Sequence, residues 1–418
     1  KKKMQKLILS FIVFFKLVDG LRVGIVGAGP AGLALSKALS SWCEVSLFES
    51  SKDPLSTSVG GGLQLSSGAT ALKKLGVDVS QVAMPLRSVR SRDAKGSDLL
   101  RLDVQSEMRA AGLIANGQTD GAFAIMRSSL QQILWDSLDK KVDIHLDTSV
   151  LEVSMDGTLV TGKGSEKFDL IVGCDGVRSI VGTSIFPNSA KPQFSGIEVL
   201  LCICPDSHRQ DVNAFHQWLG DGAYALAASY GATGSKSQDM IALCRRSVTS
   251  STRDEIWSTE QLNSQVQDAL HQANLGENIE LQDIMSRADR FYRFPIYHRL
   301  PSFPAWHSGK LVLAGDSCHA MPPFLGQGAN QAICDAQVLN ACLHKESSKN
   351  NLDTALSRYF RIRFPSTSRL LLNSRFLGFL ETQSGPGVFA RDSFFRFTSA
   401  TGIAKTVFLD GASSKLLQ

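Results

Sequence analysis

The chain has 418 residues, of which 43% are hydrophobic, 20% charged and 8% aromatic, and it carries a formal net charge of +5. That length and apolar content suit two layered domains with their own cores, and exclude a disordered or multi-span membrane protein. The charge is local: Lys1, Lys2, Lys3, Lys6 and Lys16 against Asp19 account for +4 of it within the first twenty residues, so the remainder gives no case for a nucleic-acid partner.

Taken in chain order, the basic start Lys1–Lys6 is followed by the apolar run Leu7–Phe15, closed by Lys16. The run is too short to span a bilayer comfortably. It has the layout of a targeting leader over residues 1–20, with Val18 and Gly20 as the small residues before a cut ahead of Leu21. Entry into the secretory pathway or an organelle is therefore expected. A non-functional leader would leave the protein in the cytoplasm, and the apolar run keeps open a peripheral contact with a membrane.

Leu21–Val26 reads as a short β-branched strand. The glycine-rich turn Gly27-Ala28-Gly29-Pro30-Ala31-Gly32 comes next, then an apolar helix from Leu33 and a second strand ending in Glu49. Glycines here permit a tight turn, close backbone approach to a pyrophosphate and close packing of helix on strand. Glu49 lies at the distance where an acid accepts hydrogen bonds from a ribose. A lone glycine fingerprint is weak evidence, but strand, turn, helix, strand and terminal acid together are strong.

Further on, Phe168–Gly173 is a strand running into Cys174-Asp175-Gly176. A β-rich stretch follows, with strands at Glu198–Ile203, Ala214–Trp218, Ala223–Ala228 and Asp239–Leu243, and a helix at Thr259–His271. The strand Lys310–Ala314 enters Gly315-Asp316, and the loop continues through Pro323 to Gly326-Gln327-Gly328-Ala329-Asn330, where another helix starts. The tail begins as a helix that Leu370–Leu372 and Phe376–Leu380 would pack on the domain carrying the glycine turn. The eight cysteines show neither zinc nor redox-dithiol spacing, so no metal is expected and buried free thiols are. Cys202 and Cys204 would share one face of a strand.

The glycine turn, the Cys174-Asp175-Gly176 segment and the Gly315-Asp316 segment resemble, in order and spacing, the three fingerprints of the FAD-dependent monooxygenases of the para-hydroxybenzoate hydroxylase type. Gly60–Leu65, Met126–Leu130 and Trp306–Leu313 resemble smaller family motifs, so the likeness runs from Leu21 to about Leu377. It implies an α/β fold in which a Rossmann-like FAD-binding domain (21–80, 121–182 and 290–345) is interleaved with a β-sheet-rich α+β substrate domain (81–120 and 183–289), followed by a C-terminal helical tail (346–418). Two positions depart from the family pattern: Ser50 and Gly182 stand where it carries arginines.

The resemblance implies that FAD is held by Gly27, Gly29, Ala31, Gly32, Glu49, Arg127, Asp175, Gly315, Asp316, Pro323, Gly326, Gln327, Gly328, Ala329 and Asn330. Asp316 would accept from the ribityl chain, Arg127 would face the pyrophosphate, and Pro323 would lie against the reactive face of the ring. The helix start at Gly328 would aim its positive end at the pyrimidine edge. The implied reaction takes electrons from NADPH or NADH, adds O2 to give a flavin C4a-hydroperoxide, and hydroxylates or epoxidises an apolar, aromatic or isoprenoid-like small molecule. His216 and Tyr224, on the expected substrate sheet, are candidates for touching that molecule, while His319 reads as structural. A reductase or dehydrogenase of the same fold, or an FAD-binding protein without turnover, is the alternative.

Overall fold

The computed structural model describes residues 20–413, apart from 57–59, 115–119, 188–190, 248–257, 302–304 and 347–350. The leader therefore lies outside the described residues, except for Gly20.

The first sheet has six strands in the order His307–Ser308, Leu311–Leu313, Leu170–Gly173, Arg22–Val26, Glu44–Phe48 and Asp143–His145. All pair in parallel except the first two. Its central strands read as unbroken apolar runs because both faces are covered: Val23, Ile25, Leu170, Ile171, Val172, Leu311 and Val312 have essentially no exposure. The helices Pro30–Leu39 and Gly328–Lys345 pack together against it. Chain segments far apart in sequence thus meet at the same end of one sheet.

The second sheet has ten strands. Its main path runs Arg290–His298, Gln193–Ile203, Ser235–Arg246, Ala223–Ala232, Ala214–Leu219, Ser88–Asp93 and Asp98–Asp103. The strand Arg290–His298, expected within the cofactor-binding part, instead pairs antiparallel with Gln193–Ile203, so residues 290–298 belong to this sheet. The four strands and the helix read from the sequence between Glu198 and His271 are all present, each somewhat longer.

Alternation along these strands divides their side chains between two layers. One face, with Val199, Leu201, Phe215, Tyr224, Met240 and Cys244, looks toward the first sheet. The other, with Leu200, Cys202, Cys204, Trp218, Ile241 and Leu243, is closed by the helices Thr259–Gln272 and Ile279–Arg287. Cys202 and Cys204 do share a face, and all eight cysteines are free.

The tail forms three helices: Leu352–Glu381, Gly387–Ala400 and Ile403–Ala412. The first half of the long helix packs on the helix Gly328–Lys345 through Leu356 and Tyr359. Its second half, with Leu377 and Leu380, joins the substrate-sheet cluster instead, together with Phe395 and Ala412 of the last two helices. The expectation that Phe376–Leu380 packs on the cofactor-binding part is corrected accordingly. Among the described residues no helix is long and apolar enough to cross a membrane.

Candidate functional site

A cavity of about 470 Å³ lies where the two sheets face each other. One end is formed by Gly29, Pro30 and Ala31, at the start of the helix Pro30–Leu39. Gly27 has φ +102°, and a Cβ there would stand 2.5 Å from the Cys174 carbonyl oxygen; a Cβ on Gly32 would stand 1.9 Å from the carbonyl oxygen of Gly27. Only glycine lets this turn close against the neighbouring strand end. A Cβ on Gly29, by contrast, would meet no protein atom within 4 Å. The space beside it is open to a ligand.

At the other end Gly326, Gly328 and Ala329 line the cavity where the 18-residue helix Gly328–Lys345 begins. Two helix starts therefore aim positive ends and unpaired N–H groups into one space. Between them sits Asp316. Its carboxylate opens onto the cavity and has no hydrogen-bond partner among the described residues. Enclosure by protein raises its pKa above the ordinary carboxylate value, against the opposing pull of His319 and Arg127. Arg127 lines the same space as the first residue of the helix Arg127–Asp136, with its side chain running alongside Gly60.

The loop carrying Asp316 is held from behind. Asp335, fully buried, accepts from Gly315 N at 2.8 Å, from Arg363 Nε at 2.6 Å, and pairs with His319 Nε2 at 2.5 Å. Burial alone would raise its pKa, but the His319 and Arg363 charges outweigh that and hold it at about 2. Cys318 completes a cluster whose ligand atoms lie within 4.8 Å of one another. Burial pushes that thiol well up, so it stays protonated, and Arg363 already neutralises the carboxylate. This is an ion-pair network that sets a loop rather than a metal-ligand set.

Of the residues expected to contact the cofactor, Gly29, Ala31, Arg127, Asp316, Pro323, Gly326, Gly328 and Ala329 line the cavity. Others support it without lining it. Asn330, fully buried, uses its amide to accept from Ser66 N and Gly68 N and to donate to the carbonyls of Gln64 and Gly326. Its side chain is thus spent on clamping two loops together. Gln327 is buried against Gln331 and Gly411. Glu49 accepts from Ala28 N at 2.8 Å and Ser51 N at 2.7 Å, which ties the second strand to the glycine turn. Asp175 accepts from Ile180 N and Val181 N at the start of the next helix, while its neighbours Cys174 and Gly176 reach the cavity. Gly27, Gly32 and Gly315 act through backbone shape.

The two substrate candidates separate. Tyr224 lines the cavity, fully enclosed, with its hydroxyl against Cys244 and Glu381. His216 is on the opposite face of its strand, pairing with Glu280 at 2.8 Å and lying edge-on to Trp218, so it does not reach the cavity. Alternation decides this: Phe215 and Gln217 point inward and His216 outward. Gln217 is fixed on both sides, accepting from Ser91 Oγ and donating to Glu381, each at 2.6 Å. Burial raises the pKa of Glu381 to about 8, so it is a neutral acid at pH 7. No motif marks Glu381, since it comes from the tail. Gly62 was legible within Gly60–Gly62, but its partner was not: a Cβ there would stand 2.1 Å from the Tyr230 ring, which closes the near end of the apolar face.

The family described as FAD binding domain matches residues 20–374. An FAD-dependent monooxygenase of Tolypocladium album is 26% identical over 396 residues, covering 89% of this chain and 80% of that one. A 3-amino-4-hydroxybenzoate 2-monooxygenase of Streptomyces platensis is 27% identical over 366 residues, covering 85% and 87%. In fold, the crystal structure of Klebsiella pneumoniae HpxO complexed with FAD and uric acid superposes with a TM-score of 0.78 at 18% identity, over 95% of this chain and 98% of that one. The cavity fits the cofactor these findings imply: a diphosphate has the open space beside Gly29, a sugar chain has the unpartnered Asp316, and a ring system has the helix start at Gly328. The chain belongs to the FAD-binding-domain family, among the FAD-dependent monooxygenases of the para-hydroxybenzoate hydroxylase type.

Proposed function

We propose that this protein oxygenates a largely apolar small molecule, aromatic or isoprenoid-like, taking electrons from NADPH or NADH and one oxygen atom from O2. Per turnover the other oxygen atom leaves as water and the nicotinamide is oxidised. FAD, when bound, supplies the oxygen-activating redox chemistry. The chain supplies the binding and the exclusion of water. Gly29, Ala31 and Arg127 would hold the diphosphate, Asp316 the sugar hydroxyls, and the N–H groups at Gly328 and Ala329 the negative edge of the reduced ring.

One observation carries the substrate reading. Beyond Asp316 the cavity is walled by Val199, Leu201, Leu226, Met240, Ala242 and Phe294, with Tyr224, Tyr230 and Gln217 among its polar groups on the sheet. An apolar wall keeps water from the reacting atoms. The Tyr224 hydroxyl, whose pKa burial holds far above 10, is a neutral partner for a substrate oxygen. From the basic start and the apolar run Leu7–Phe15 we also propose that residues 1–20 direct the protein into the secretory pathway or an organelle. The activity is tested by supplying NADPH or NADH, isotopically labelled O2 and a panel of phenols and isoprenoids. One labelled oxygen atom in a product supports the proposal. Nicotinamide-driven reduction of a substrate without O2 consumption would assign a reductase instead.

A further inference from the structure

The cavity-facing side of the large sheet changes character along its length. Alternate residues present Leu201, Val199 and Ile197 on one strand, Met240, Ala242, Cys244 and Arg246 on the next, and Phe294, Ile296 and His298 on the third. The register sets Leu201 beside Ala242, Val199 beside Cys244, and Ile197 beside Arg246. Each row is apolar over the cavity, and two of the three end in a nitrogen-bearing side chain, Arg246 and His298, at the same end.

At that end lies a second cleft of about 620 Å³, which shares one wall, Phe324, with the inner cavity. Two features make it. Pairing between the strands Gln193–Ile203 and Arg290–His298 slips between Phe194 and Glu198, where Gly196 takes φ +76°, so the sheet edge opens. Gly378, in the last turn of the long tail helix, leaves room for the Phe324 ring, which a Cβ would meet at 2.1 Å. The helix adds Arg375 and Phe376 to the cleft.

The polar groups there are under-used. Among the described residues no carboxylate lines the cleft. Arg375 is exposed and has no hydrogen bond or ion pair with a described residue. Arg246 lies over the Phe379 ring at 5.6 Å and makes one long hydrogen bond, 3.4 Å, to Thr382 Oγ1. His298 is 3% exposed, and neither ring nitrogen has a partner. A buried polar group without a partner is costly and calls for a ligand or water to satisfy it. Burial and the nearby Arg375 charge lower its pKa to about 4, so at neutral pH it offers one donor and one acceptor.

We propose that the cleft binds the anionic end of an elongated substrate: a carboxylate held by Arg246 and Arg375 beside His298, with the uncharged, reacting end passing Phe324 into the inner cavity. This rests on the oxygenase reading only for which end reacts. At a rise of about 3.3 Å per residue, Arg246 stands about 7 Å beyond Cys244, the last neutral residue of its row. The acid is therefore separated from the reacting ring by a spacer, rather than attached to it directly.

The test uses the FAD-loaded protein without reductant, following the flavin absorbance as ω-phenylalkanoic acids from phenylpropanoate to phenyldecanoate, and their primary amides, are titrated. Affinity for the acids should rise with chain length to an optimum and exceed that of the matched amide by about tenfold or more, the size of one charge-assisted contact. Arg246→Gln combined with Arg375→Gln should abolish that preference and leave amide affinity within about twofold, with FAD content unchanged. Equal acid and amide affinity in the wild type, no acid-induced change at any length, or an acid preference that survives in the double variant would overturn the proposal. So would a double variant that loses affinity for NADPH or NADH and not for the acids, which would assign the cleft to the reductant. No turnover is needed, so the result stands whether or not the wild type consumes O2.

Discussion

Gly29 and Asp316 do different jobs, and their substitutions should fail differently. Gly29 has φ −73° and no protein atom within 4 Å of its Cβ position, so a side chain there starts from ordinary backbone geometry and open space. The branched side chain does occupy the space left for a diphosphate. Gly29→Val should therefore fold and melt like the wild-type apoprotein while losing FAD, as judged by visible absorption after gel filtration. Asp316→Ala removes one or two sugar hydrogen bonds, on the order of 1–3 kcal/mol, and should raise the dissociation constant about tenfold or more without abolishing binding. Both residues were legible because a fingerprint fixes them through chain geometry. Asp335 was not: an acid on an apolar helix looks unremarkable until His319 and Arg363, 16 residues before it and 28 after, close on it in space. Arg363→Met leaves that buried carboxylate short of its counter-charge. It should cost about 3–5 kcal/mol of stability, read by denaturant unfolding, and loosen the Asp316 loop.

Four strands of the large sheet were readable from period-two or continuous apolar character at hairpin spacing, and the structure has each of them somewhat longer, while Ser88–Asp93 and Asp98–Asp103 carried no such signal. Which face looks at the cavity was not readable, because both faces are buried. His216 and Tyr224 are equally sheltered, and only the pairing of strands and the two covering helices assigns one outward and one inward. The strand Arg290–His298 was misassigned for a related reason. It follows a helix and precedes the third fingerprint, so chain order joins it to the first sheet, while hydrogen bonding joins it to the second. Glu381 ends the long helix beneath this sheet. Its pKa is raised from an ordinary value near 4.5 to about 8, so its contribution to stability is complete below about pH 4.5 and is lost as the pH climbs toward 8. Glu381→Gln should flatten the fall in melting temperature over that range, while a variant that keeps the wild-type pH slope would show that the carboxyl is already ionised.

At the scale of the whole molecule, the resemblance reached about as far as Leu377, and the last two helices lie beyond any motif. They are nonetheless integral. Arg391 is fully buried and donates to the carbonyls of Leu219 and Gly220 at the end of a substrate-sheet strand, and Phe395 enters the same core. Ending the chain after Pro386 would expose that core and orphan those carbonyls, so the truncated protein should be insoluble or melt far below the full chain. The architecture as a whole exists to bring a glycine turn, an aspartate loop and a second helix start to one cavity. The most direct measurement of that claim is the cofactor content of the purified full-length protein, by visible absorption before and after heat release. One FAD per chain, released intact and without covalent attachment, is the expected result. A folded, colourless protein that takes up no added FAD would contradict it.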